Sequence, residues 1–142
     1  MKLSINANSD LTLGGLKNAF HSEFPQLKIE FYRHAHAKGT LSPPDEMLHQ
    51  DDQAVALFLR EESPEIVLAI EPQHTVWETE QQFESKLHLH VQLFRQMGNT
   101  WIATSKTDQW SLARQTERSL ETLHIKLPDN EDKEGRDYHE QE

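Results

Sequence analysis

The chain has 142 residues, a formal net charge of −10 and no cysteine, which suits one domain with a real core and excludes disulfides, Cys-ligated zinc and thiol catalysis. An acidic body repels phosphate backbones and anionic membranes, so neither nucleic acid nor a membrane surface is expected as a partner. No run approaches the ~20 apolar residues of a membrane span, and Met1 to Asn8 lacks the apolar core of a signal peptide, so a cytoplasmic location is expected.

In chain order, residues 2–6 read as a strand and Asn6 to Asp10 as a turn. Thr12 is a cap candidate for a helix whose stripe is Leu13, Leu16, Phe20 and Phe24, ended by Pro25. A strand follows over about Leu27 to Arg33, with Ile29 and Phe31 alternating against Lys28 and Glu30. Periodicity is lost from His34 to Asp52, a stretch longer than usual for a loop in a compact domain and therefore mobile or functional. Asp51 or Asp52 caps a short helix carrying Val55, Phe58 and Leu59, closed by Ser63-Pro64. Glu65 to Glu71 holds the unbroken run Ile66 to Ile70, read as a strand buried on both faces in the middle of a sheet. Thr75 and Glu78 form a capping box for a helix from Val76 to Leu87. The next strand reaches about Gln96, and Gly98-Asn99 turns the chain into a returning strand, Thr100 to Ser105. A last helix starts at Thr107 or Asp108 with Trp110, Ala113 and Leu120 on one side, and His124 to Leu127 is a further strand or a frayed end. Residues 128–142 hold seven acidic and two basic residues and form an acidic tail expected to be disordered.

The stretch from Thr12 to Arg33 returns, one residue shorter, as Thr75 to Arg95. Phe20 falls on Phe83 and Ser22 on Ser85. After the deletion, Leu27 falls on Leu89, Ile29 on Val91, Phe31 on Leu93 and Arg33 on Arg95. The fold class expected is α/β (α+β), two βαβ repeats at about 2–33 and 65–105. They would form one ferredoxin-like sheet with its first and third strands central and the helices on one face, followed by a hairpin strand and a helix. Residues 1–127 form the single domain.

A two-residue turn at Gly98-Asn99 pairs Gln96 with Trp101, Arg95 with Ile102 and Phe94 with Ala103. Phe94, Trp101 and, through the repeat, Tyr32 then share the face away from the helices. Either the last helix covers them with Trp110, or they anchor a partner or a second copy of the chain. Arg33 and Arg95, at matching strand ends, are a weaker anion-binding candidate, and charged strand ends more often reach solvent.

Nine histidines offer metal ligands. His34 and His36 with His49, near Asp45 and Glu46, make a zinc site conceivable, and His88 and His90 repeat the spacing. No nucleophile elbow or phosphate loop is present, and Asp51-Asp52 and Glu61-Glu62 read as solvated helix-end charge rather than a catalytic pair. The sequence reading is a non-enzymatic interaction or self-association module, a homodimer or the partner of another protein. Its alternative is a small-molecule or metal-binding regulatory domain using the 34–52 loop.

Overall fold

The computed structural model describes residues 1–6, 8–59 and 65–124. In chain order these form β1 (Lys2–Ile5), α1 (Leu13–Glu23), β2 (Leu27–Tyr32), β3 (Ile66–Ala69), α2 (Val76–Leu87), β4 (His90–Met97), β5 (Thr100–Ala103) and α3 (Leu112–His124). Two threonines start α1 and α2. The Thr12 hydroxyl accepts from the Gly15 N–H at 3.0 Å. The Thr75 hydroxyl accepts from the Glu78 N–H at 3.0 Å, and the Glu78 carboxylate returns to the Thr75 N–H at 2.9 Å, closing the capping box. α1 ends ahead of Pro25, and α2 ends on His88 in the left-handed region.

The fold is mixed α+β, and among the described residues its strands divide into two antiparallel sheets. β1 pairs with β3, with Leu3 opposite Leu68 and Ser4 opposite Val67. β2, β4 and β5 pair in that order, with Ile29 opposite Leu93, Glu30 opposite Gln92 and Phe31 opposite Val91. The β4–β5 register is the one the turn dictates, Gln96 opposite Trp101 and Phe94 opposite Ala103, and Gly98 supplies the positive φ at the tip.

The expected single ferredoxin-like sheet is not what forms. β3 has β1 as its partner and is not a central strand. Its run is apolar throughout, yet it alternates: Leu68 and Ile70 are inside and Val67 is 40% exposed. β2 takes β4, because each of these longer strands turns an apolar row to the same side. That row, Leu27, Ile29, Phe31, Val91 and Leu93, joins Leu13, Leu16 and Phe20 of α1 and Val76, Phe83 and Leu87 of α2 in one core. Phe83 sits at its centre, edge-on to Phe20 at 6.5 Å and to Phe31 at 6.3 Å.

Other expectations shift locally. The short helix after Asp52 is a 3-10 turn over Val55–Phe58 with Ala54 in the cap position; Asp51 instead lends its backbone carbonyl to the Gly14 N–H at 2.9 Å. β5 ends at Ala103, and a 3-10 turn over Ser105–Thr107 precedes α3, which begins at Leu112 rather than at Thr107 or Asp108. α3 buries Leu112, Gln115 and Ser119, while Ala113 and Leu120 face outward. An apolar stripe was the wrong guide there, because the strip of body beneath α3 is polar: Gln115 meets the Arg95 guanidinium, and Ser119 donates to Gln26 at 3.1 Å. The expectations for Ser63-Pro64, 125–127 and the tail 128–142 fall outside the described residues.

Replacing Thr75 with Ala removes the side-chain half of the capping box and should cost ~1 kcal/mol of stability. Urea denaturation followed by circular dichroism reads this as a lower midpoint with an unchanged slope.

Candidate functional site

Alternation along β4 sends Leu93 and Arg95 to the helix side and Gln92, Phe94 and Gln96 to the other. β5 adds Trp101 and Ala103 to that second face, and β2 adds Lys28, Glu30 and Tyr32. Phe94 and Trp101 are half-buried. The Lys28 ammonium lies 5.4 Å from the Phe94 ring centre and 5.2 Å from that of Trp101, and it pairs with Glu30 at 3.4 Å. The His21 ring meets Trp101 edge-on at 6.0 Å. This end of the face is an aromatic platform capped by one cation.

The other end is closed, since Tyr32 and Gln92 are buried. The segment from Arg33 to Leu48 crosses here. It leaves at Arg33, whose N–H donates to the Glu46 carbonyl at 3.0 Å, and it rejoins β2 where the Leu48 N–H donates to the Phe31 carbonyl at 2.7 Å. Between these points most side chains are exposed; Ser42 is buried, and His36, Glu46 and Met47 are partly buried. The Ser42 N–H donates to Gln92 Oε1 at 3.3 Å, while its own hydroxyl, although buried, has no hydrogen-bond partner among the described residues.

His36 is the most engaged histidine of the segment. Its Nδ1 donates to the Ala37 carbonyl at 2.9 Å, and its Nε2 meets Glu80 Oε1 at 3.1 Å. The two side chains are 6% and 3% exposed. Glu80 Oε2 accepts from the Leu93 N–H at 2.9 Å, and the Trp77 ring stands edge-on to the imidazole at 5.8 Å. A carbonyl only accepts, so Nδ1 carries hydrogen; the Nε2–Oε1 contact then needs one further proton, on either partner. Burial lowers the affinity of His36 for that proton, but the hydrogen bond and charge of Glu80, the Ala37 carbonyl and the charge of Asp108 outweigh it, and its pKa rises to about 8. Burial raises the Glu80 carboxyl as well, and Asp108 adds to this. Asp108, itself buried, accepts from the Gly39 N–H at 2.8 Å, an approach that Gly39 reaches with φ +79°.

The remaining sequence candidates scatter. Trp110 lies on the helix side, 3.8 Å from the Arg114 guanidinium and 5.8 Å from that of Arg95. Arg95 is fully buried and Arg33 is exposed, so the two do not form one anion site. His34 pairs with Glu46 at 3.2 Å, His49 is exposed and His36 turns the other way. Among the described residues, no three His, Asp or Glu side chains are placed to hold one metal ion. An open depression of about 510 Å³ at the end of the loop is lined by Leu48, Gln50, Asp52, Gln53 and Phe58, with Asp52 its one charged group. Glu80 escaped the sequence reading, although a signal was there: it falls within the inward stripe Val76, Thr79, Glu80, Phe83 and Leu87, where a carboxylate needs a buried partner. Comparison with protein families, with curated proteins and with solved structures finds no match.

The shared proton gives stability a direction with pH. Folding raises the His36 pKa from 6.5 to about 8, so the folded chain holds the proton more tightly. The stabilisation is complete below pH 6.5 and is lost as pH rises through about 8. The raised Glu80 carboxyl acts in the same sense. The urea midpoint should fall across that window, and much less so in a His36→Ala variant.

Proposed function

We propose that this protein works by association, docking a second copy of itself on the free face of the three-stranded sheet around Phe94 and Trp101. The observation that carries this reading is an aromatic pair left half-buried beside β5, a strand with no partner on its outer edge among the described residues. An open edge and adjoining aromatic rings are the features that sheet-to-sheet association uses. A two-fold contact between two such faces is self-complementary and brings two Trp101 rings to one interface.

The same reading takes the chain as two repeated units, and its backbone pairings are compatible with that. The alignment that lays Thr12 on Thr75 also lays Ser4 on Val67, and these two residues face each other at the middle of the β1–β3 ladder. After the deletion it lays Glu30 on Gln92, which face each other in the β2–β4 ladder. Leu13 and Gly14 donate to the carbonyls of Gln53 and Asp51; their counterparts Val76 and Trp77 donate to those of Trp110 and Asp108. Val55 returns a bond to Leu11, and Leu112 returns one to His74, again a matched pair. Each unit thus reads strand, helix, strand and a segment that comes back to the helix start.

Light scattering across a concentration series tests the reading. The protein should run at twice its chain mass and Trp101→Lys at the chain mass, with the same far-ultraviolet circular dichroism. A wild-type chain that stays monomeric throughout the series overturns self-association.

A further inference from the structure

Among the described residues, the contacts that hold the segment from His34 to Glu46 to the body are mostly polar, with the edge-on meeting of His36 and Trp77 beside them. His36 meets Glu80, the Gly39 N–H meets Asp108 and the Ser42 N–H meets Gln92. Leu41, the segment's own leucine, is 40% exposed. A stretch with so little buried apolar surface opens at low free-energy cost compared with the core beneath it. What it covers is the Tyr32 and Gln92 end of the same face that carries Phe94 and Trp101.

The repeat shows why this contact is special. Lys17 of α1 is the counterpart of Glu80 in α2, and Asp51 is the counterpart of Asp108 through the matched bonds to Gly14 and Trp77. In the first unit Lys17 bridges Asp51 at 2.8 Å and Glu30 at 3.0 Å, and it remains cationic across the physiological range. In the second unit a carboxylate stands where the lysine would be. Glu80 and Asp108 therefore repel, and the cation is supplied by the covering segment as His36.

We infer that residues 34–46 are a strap over the association face, fastened by the single proton between His36 Nε2 and Glu80 Oε1, and that losing this proton frees the strap and lengthens the face from Phe94 to Tyr32. The inference rests on the association reading above and names its regulation. The groups facing the imidazole are Glu80 and the Trp77 ring from α2, Asp108 from the stretch before α3 and the Ala37 carbonyl from the strap. Tyr32 of β2 is influenced by Glu80 and Glu30, and burial holds its hydroxyl protonated throughout the range in question. Without the shared proton, the imidazole has one hydrogen for two acceptors, the Ala37 carbonyl and Glu80 Oε1, so one of its two contacts is lost whichever tautomer forms.

Amide hydrogen exchange on the full chain tests this, with rates divided by the intrinsic chemical rate at each pH. Between about pH 6.5 and about pH 9.5, wild-type protection at the Gly39 and Ser42 amides should fall at least ~10-fold, while the Ile29 and Leu93 amides stay protected. In His36→Ala the two strap amides should be unprotected at both pH values. In Glu80→Gln the carboxamide oxygen can keep the Leu93 N–H while its nitrogen donates to neutral Nε2, so protection should persist and lose its pH dependence. Wild-type strap amides that exchange alike at both pH values overturn the inference, as does Glu80→Gln responding to pH as the wild type does; the second criterion holds even if His36→Ala fails to fold. The dimer dissociation constant, read by light scattering at the same two pH values, should shift with pH in the wild type and not in Glu80→Gln. A strap that opens without any Trp101-dependent dimer defeats the association reading, and a dimer whose strap does not respond defeats this one.

Discussion

The β2–β4 ladder is the constraint on which the rest depends. Its pairing fixes which residues share a side: Leu27, Ile29, Phe31, Val91 and Leu93 enter the core with Phe20 and Phe83, and Lys28, Glu30, Tyr32, Gln92 and Phe94 are committed to the opposite face. A slip of one residue would exchange the two sets and bury a lysine and a glutamate against Phe83. The apolar side makes this register the stable one, and the chemistry of the free face follows as a consequence. Phe94 stays on the free face because Leu93 and Arg95 turn to the other.

The two ends of that free face are managed by different physics. At the β5 end, one ammonium over two rings leaves the aromatics half in water, an arrangement of modest strength. At the Tyr32 end, a buried imidazole and a buried carboxyl hold the segment in place. With the proton such a contact is strong in a low-dielectric setting, and without it the imidazole has one hydrogen for two acceptors.

Much of the fold was legible in the sequence, and the reasons are local. Thr75 with Glu78, Thr12 before the Leu13 stripe, Pro25 and Gly98-Asn99 each act within a few residues, and each element they delimit is found within a residue or two of its expected place. The β4–β5 register needed only the turn. Strand partnership was not legible, because the run Ile66 to Ile70 reads as buried whichever strand lies beside it; Val67 facing outward is a fact of tertiary structure. The covering segment was recognised as unusual but not placed, since its contacts with Glu80, Asp108 and Gln92 join residues 44, 69 and 50 positions apart. Of the named site residues, Phe94 and Trp101 share the free face, whereas Trp110 belongs with Arg95 on the other.

Arg95 has a further consequence. Its guanidinium lies beneath α3, with Nη1 donating to Gln115, Nε against the Met97 sulfur and the Trp110 ring beside it. Apolar contacts place a helix by shape alone. A planar group with donors in fixed directions adds a directional requirement. Shifting α3 by one turn would leave a permanent charge dehydrated and the Gln115 amide away from the Thr107 carbonyl and hydroxyl it now meets. The arginine therefore works as an indexing pin that favours one seating of the helix.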